Sequence, residues 1–245
     1  MNRQLTWVEP SDPLPPTDRA LTIDEGANGL LAAGADLSPE RLTEAYCRGI
    51  FPWFSKGEPV LWWTPSPRMV LMLDEFKISK SFRKTISRAL ADDQMEINAD
   101  QNFVEVMRAC AAPRTSQSDT WISEPMIAAY QQLHRMGHAH SIEVFQHGDR
   151  IGGLYCVAFG KMVFGESMFS LVPDASKLAL ATLVAWLKKH QAVVIDCQQR
   201  TGHLASLGGR EIDRSRFEAH VHALTPLGEL PWRASPPCKR DLSGL

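Results

Sequence analysis

The sequence lacks most of the features that announce a chemistry. Its five cysteines (Cys47, Cys110, Cys156, Cys197 and Cys238) are odd in number, scattered, and never spaced CxxC. That pattern argues against a disulfide scaffold or a zinc ribbon and fits a reducing compartment. No apolar run approaches the roughly 18 residues of a membrane span, and MNRQLTWVEPSDPLPPTDRA lacks the apolar stretch of a signal peptide. A cytoplasmic protein is therefore expected. A formal net charge of −2 excludes a polycation, so any nucleic-acid contact has to be a local patch. Internal repeats, HExxH, GxSxG and a Cys-His nucleophile signature are all missing. The histidines of HRMGHAH and HVH invite a metal, but Gly137 breaks the turn between His134 and His138 or His140, and no carboxylate pair completes a site. No metal is expected, and Cys197 reads as a small core residue.

What is present is an ordinary globular composition, 44% hydrophobic and 22% charged, in a chain long enough for a real core. Residues 1–66 differ from the rest in composition and are expected to form a small N-terminal domain. In it, Ser38 as N-cap and Pro39 at the first position open a helix that runs to about Arg48 and is closed by Gly49. Residues 67–245 alternate between the two periodicities. MVLMLDEF and MEINAD read as strands, and SKSFRKTISRAL, QNFVEVMRACA and SEPMIAAYQQLHRMG as helices. HSIEVFQHGDRIGGLYCVAFGKMVFGESMF supplies three strands with turns at HGDR and FGKM. The helix PDASKLALATLVAWLKKHQ follows, with Asp174 placed to cap it; then come the apolar strand AVVIDCQ and the closing helix DRSRFEAHVHAL.

Strand, helix, strand over residues 162–198 implies a parallel pair with its C-terminal ends side by side, where ligands of open α/β sheets gather. Glu166, Asp196 and Gln198 all fall near those ends. In MVFGESMFS, alternation puts Met162, Phe164, Glu166 and Met168 on one face and Val163, Gly165 and Ser167 on the other. A carboxylate between Phe164 and Met168 is costly to bury unless something bonds or uses it, whereas a Glu on an edge strand simply faces water. In VVIDCQQ the same rule puts Asp196 and Gln198 on one face, as a hydrogen-bonded acid and amide, and Cys197 on the other. An Asp at a strand end also caps loops, but three such groups together point to a functional cluster.

Two further features have both a structural and a functional reading. Trp53 in GIFPWFSKGEP and Trp121 in TWI fit core packing, or a platform on which a purine stacks. Lys77, Lys80, Arg83, Lys84 and Arg88 fit a solvated helix face, or a patch for phosphates. A CoA-dependent acyltransferase shares the strand-helix-strand core. Its pyrophosphate needs a Gly-rich turn opening the helix, however, and SLVPDASK offers no glycine, a Pro without an N–H, and an Asp. The fold class is thus α/β (α+β): a small N-terminal domain, then a mixed-sheet, acetyltransferase-like (GNAT-like) domain without a CoA pyrophosphate loop.

NGLLAAGADLSPERLTEAYCRGIFPWF, PVLWWTPSPR, TWIS, GHAHSIEV, GGLYCVAFG, FGESMFS, ASK and IDCQ, in this order, resemble the leucyl/phenylalanyl-tRNA–protein transferase family from about residue 27 to 230. The resemblance implies transfer of Leu or Phe from aminoacyl-tRNA to the N-terminal Arg or Lys of a protein, creating a destabilising N-terminus (an N-degron). The ester is already activated, so no cofactor is implied. It assigns Asp196 and Gln198 to amine activation, Asp196 polarising Gln198, with the ribose hydroxyl as the alternative proton shuttle. Glu166 maps to the family's essential acid, holding a cationic amine or the ribose. Leu154, Val163, Met168, Leu180, Leu183, Leu187 and Ile195 carry over as the side-chain pocket, whose Met and Leu lining suits Leu, Met or Phe over β-branched residues. Trp53 and Trp121 match the terminal adenosine contacts, and the basic helix matches the region that meets the acceptor stem. The implied partners are aminoacyl-tRNA and the acceptor protein, with no membrane and a monomer as the default. A non-enzymatic tRNA-binding module is the reading from another class.

Overall fold

The computed structural model describes residues 5–112 and 121–245, so Thr120 of the TWIS stretch lies outside the described residues. The first quarter of the chain has no long apolar run, and its strands are short. β1 (Thr6–Val8), β2 (Leu30–Gly34), β3 (Phe51–Pro52) and β4 (Leu61–Trp63) form a sheet in the order β1-β2-β4-β3. None was legible, because two to five residues are too few to display a period. Between them, α1 (Pro39–Tyr46) starts as expected, with the Ser38 hydroxyl accepting from the Arg41 N–H. Gly49 closes it at φ 70°, and a Cβ there would stand 2.6 Å from the Phe217 ring, so both backbone shape and space call for glycine.

The larger sheet is built from β5 (Arg68–Met72), β6 (Met95–Ala99), β7 (Ala139–Gln146), β8 (Asp149–Phe159), β9 (Met162–Ser170), β10 (Val194–Gln198) and β11 (Arg210–Ile212). Their order is β11-β5-β10-β9-β8-β7-β6, and the β9–β10 pair is parallel while its neighbours are antiparallel. The mixed α/β architecture read from the sequence is therefore the one observed. MVLMLDEF stops being a strand at Met72, because Leu73–Glu75 turns as a 3-10 helix.

Among the described residues, six helices accompany this sheet: α2 (Lys80–Ala91), α3 (Phe103–Ala111), α4 (Glu124–Met136), α5 (Ala175–Lys189), α6 (Gly202–Ser206) and α7 (Arg214–Leu224). Five match the sequence expectation; α6 is one short turn and did not stand out. No helix among the described residues is long and apolar enough to cross a membrane.

Two apolar clusters cover the two faces. On one, Phe164, Tyr155, Val157 and Phe159 meet Tyr46, Tyr130, Phe217 and the small sheet's Leu31 and Trp62. On the other, Val163, Leu154, Cys156 and Ile195 meet α2 and α5. The crossover helix α5 is buried over most of its length, which explains its nearly all-round apolar sequence.

One expectation about α5 needs correcting. Asp174 sits at the N-cap position with φ 66°, but its carboxylate does not cap; it takes Lys177 Nζ at 2.8 Å and the Thr85 hydroxyl at 3.2 Å. Ser170, at the end of β9, does the capping: its Oγ accepts the Ser176 N–H at 2.8 Å. Ser170→Ala is expected to destabilise the protein by about 1 kcal/mol, read as a lower urea midpoint with an unchanged m-value.

Candidate active site

Both strands of the parallel pair carry a β-bulge at the place where their pairing ends. The last β9–β10 partners are Phe164 and Asp196. On β9, Gly165 pairs with Cys156 and Ser167 with Tyr155, which leaves Glu166 as the inserted residue. On β10, Asp196 pairs with Val70 and Gln198 with Met69, which leaves Cys197 inserted. An inserted residue reverses the alternation beyond it. Met168 therefore pairs with Leu154 and packs with the α5 cluster, away from Phe164 and Glu166. The expected shared face of Glu166 and Met168 is overturned for this reason, and so is simple alternation through Asp196, Cys197 and Gln198.

Where the strands part, a cleft of about 830 Å³ opens. Asp196 lies behind it, fully buried. Arg68, equally buried, donates Nε to Oδ1 at 2.8 Å and Nη2 to Oδ2 at 2.6 Å, and the Gln198 backbone N–H donates to Oδ1 at 2.9 Å. The guanidinium is sandwiched between Phe51 at 4.7 Å and Phe217 at 4.4 Å. Asp196 thus meets Gln198 through its backbone N–H and not through the expected side-chain amide. Gln198, with φ 59°, turns its side chain to Glu166 instead, Nε2 donating to Oε1 at 3.0 Å. Arg68 was missed by the sequence reading; the available signal was an arginine opening the otherwise apolar run RMVLM.

Glu166 Oε1 also accepts the Tyr46 hydroxyl at 2.7 Å, and that hydroxyl is in turn bonded to Tyr130. Burial raises the Glu166 carboxyl to about 7, against the pull of its bonds from Tyr46 and Gln198; Asp196 adds to the rise and Arg68 opposes it. Burial likewise holds the Tyr46, Tyr130 and Tyr155 phenols well above their ordinary range, so all three remain donors. Tyr155 lines the cleft, and its buried hydroxyl has no hydrogen-bond partner among the described residues. These tyrosines come from α1, α4 and β8, far apart in sequence, and no local pattern marks them.

The remaining expected site residues divide by depth. Leu154, Met168, Leu180, Leu183 and Ile195 line the cleft, while Val163 and Leu187 are fully buried outside its lining. Trp53, 39% exposed, and the half-buried Trp121 stand on its opposite wall with Phe51 and Pro52. Lys77, Lys80, Arg83, Lys84 and Arg88 are exposed on and just before α2. The Thr85–Asp174 bond ties that helix to the start of α5 beside the cleft.

His134 and His140 do converge on Asp100. Three of their four ring nitrogens are hydrogen-bonded, however: His140 bonds Asp100 at 2.8 Å and the Gly137 carbonyl at 3.0 Å, and His134 Nδ1 bonds the Ala139 carbonyl at 2.8 Å. The arrangement ties β6, α4 and β7 together as a hydrogen-bonded network.

Models of known families complete the picture. The leucyl/phenylalanyl-tRNA protein transferase model matches residues 70–222, and the model of that transferase's N-terminal domain matches residues 35–66. The chain belongs to this family. A leucyl/phenylalanyl-tRNA–protein transferase of Paraburkholderia phymatum is 58% identical over 237 residues, 96% of this chain and 97% of that one. One from Paraburkholderia phytofirmans is 59% identical over 228 residues, 93% of each. Among solved structures, FemX superposes with a TM-score of 0.43 at 10% identity, over 71% of this chain and 66% of that one.

The buried pair sets a stability expectation for this family member. Arg68→Met removes the cation that pairs with the buried Asp196, and is expected to cost about 3–5 kcal/mol by urea denaturation. Adding Asp196→Leu to the same chain is expected to restore much of that loss.

Proposed function

We propose that this cleft moves Leu, and also Phe or Met, from aminoacyl-tRNA to the N-terminal Arg or Lys of an acceptor protein by aminolysis of the ester. The chain is an aminoacyltransferase by family, and the observation that carries the finer reading is the two-sided cleft. One wall is apolar; beside it, where the strands part, stand a carboxylate and an amide.

In this reading the amino-acid side chain lies against Leu154, Met168, Leu180, Leu183 and Ile195, with Val163 and Leu187 packed outside the cleft lining. Burying a leucyl side chain there contributes about 1.5–3 kcal/mol. Trp53 and Trp121 hold the terminal adenosine by stacking. Lys77, Lys80, Arg83, Lys84 and Arg88 contact backbone phosphates. Glu166 and Gln198 face the reacting ester and amine, while Asp196, sealed behind them, positions Gln198. Residues 1–66, treated as a small domain, bring Tyr46 and Trp53 to the cleft. The product would be a protein with a new N-terminal Leu or Phe, the N-degron of the implied pathway.

The test is transfer of labelled Leu from Leu-tRNA to a peptide that starts with Arg. Transfer is expected, and Val-tRNA is expected to react about 10-fold or more slowly because its branched Cβ does not fit the Leu-lined wall. No transfer with charged tRNA and intact peptide would overturn the proposal. A separate measurement tests the basic helix. Charge reversal at Lys80 and Arg83 is expected to weaken tRNA binding and to flatten the slope of log affinity against log salt by about 0.7–0.9 per lost contact. Unchanged binding would remove α2 from the interface.

A further inference from the structure

The attacking amine must give up a proton, and the structure narrows what can take it. Asp196 is excluded by position: it is fully buried, Arg68 engages both oxygens, and the Gln198 backbone N–H shares one of them. The Gln198 side chain is a neutral amide that donates to Glu166. Among the described residues lining the cleft, Glu166 alone carries a carboxylate. Its bonds from Tyr46 and Gln198 both fall on Oε1, so neither uses Oε2. We propose that Glu166 is the proton acceptor for the acceptor protein's α-amine, with Tyr46 and Gln198 as residues that position it. This rests on the transfer reaction proposed above.

The step balances without a metal or a cofactor. The amine nitrogen attacks the ester carbonyl carbon, and as the C–N bond forms one N–H proton passes to the Glu166 carboxylate. When the carbon–ribose oxygen bond breaks, Glu166 returns that proton to the leaving oxygen. The products are an amide and a free ribose hydroxyl, and Glu166 ends as it began. A second carboxylate oxygen anchored through its first gives a base of fixed aim, as general-base catalysis requires.

The surroundings tune this group. Tyr46 from α1, Tyr130 from α4, Tyr155 and Cys156 from β8, Asp196 from β10 and Arg68 from β5 all act on it or are acted on by it. The phenols and the Cys156 thiol are held protonated, so none competes as the base near neutrality. With its carboxyl at about 7, Glu166 lies close to a peptide α-amine at about 7.7–8. The proton therefore moves between nearly matched partners. The sign of the pH dependence follows: Glu166 accepts only when ionised, so turnover rises with pH through about 7.

The experiment is single-turnover transfer from Leu-tRNA to an Arg-starting peptide at saturation, across pH, with wild-type transfer as the control. If wild type transfers nothing, the reaction itself is refuted; the assignment of Glu166 is judged only against an active parent. Glu166→Gln, which keeps the shape and an acceptor oxygen, is expected to slow turnover about 10²-fold or more. Peptide and tRNA affinities should stay within about threefold. Its remaining pH limb should coincide with the titration of the peptide's own amine. Tyr46→Phe removes a bond that favours the carboxylate, so its limb should move to higher pH, with turnover lost near pH 7 and recovered near pH 9. The assignment is overturned if Glu166→Gln keeps the parent's rate and limb. It is equally overturned if the loss lies wholly in peptide affinity, or if His203→Ala, which removes the α6 imidazole that also lines the cleft, abolishes the limb where Glu166→Gln does not.

Discussion

The contact on which the site depends is the buried pair of Arg68 and Asp196. Two charges without solvent contact are costly to bury, and a pair of this kind is weak support for stability. Its value here is geometric. Arg68 opens β5, Asp196 is the last residue of β10 paired with β9, and the guanidinium lies between Phe51 of β3 and Phe217 of α7. One side chain therefore locks together the small sheet, the large sheet and the last helix. The same carboxylate accepts the Gln198 N–H, which holds β10 in its bulged, left-handed turn and aims the amide into the cleft. Asp196 shapes the site through its neighbours and does not touch it.

The two bulges do complementary work. In a regular strand, Glu166 and Met168 would point the same way, and the cleft would mix a carboxylate with its apolar lining. The inserted residue in β9 sends Glu166 toward Tyr46 and Met168 toward the leucines of α5. The inserted residue in β10 gives Gln198 the direction to meet Glu166. A substrate entering where the strands part thus finds apolar surface on one side and donors with a carboxylate on the other. That separation is what the proposed chemistry needs, since an amine is activated most readily where a hydrophobic side chain is not competing for the same wall.

Much of the frame was legible because it is periodic. The long strands, the capped helix after Ser38, the basic helix and the parallel crossover all follow from spacing and end signals, and Glu166, Asp196 and Gln198 do gather where the β9–β10 pairing ends. The failures have a common physical origin. A bulge leaves no trace in a period-2 pattern except its consequences, here a glycine before Glu166 and a non-glycine residue at φ 59°. Contacts between distant segments leave none at all. Tyr46 and Glu166 are separated by 120 positions, and Arg68 and Asp196 by 128, so the hydrogen bonds that define the site were beyond local reasoning. The resemblance to the family named Glu166, Asp196 and Gln198 together; the geometry shows which side chain bonds which.

The start of α5 shows how the same frame disfavours another chemistry. A helix N-terminus attracts anions, and acyltransferases that use CoA exploit this with bare backbone N–H groups. In this chain the Ser170 hydroxyl already takes the Ser176 N–H, and the Asp174 carboxylate stands at the helix entrance. Bonds from Lys177 and Thr85 keep that carboxyl below its usual range, so it is charged at neutral pH. A pyrophosphate brought there would meet a negative charge and a spent donor. The neighbouring α2 keeps its lysines and arginines exposed, and its Thr85 is tied to Asp174. The carboxylate at the helix entrance thus both disfavours an anion there and ties the basic helix to the start of α5 beside the cleft.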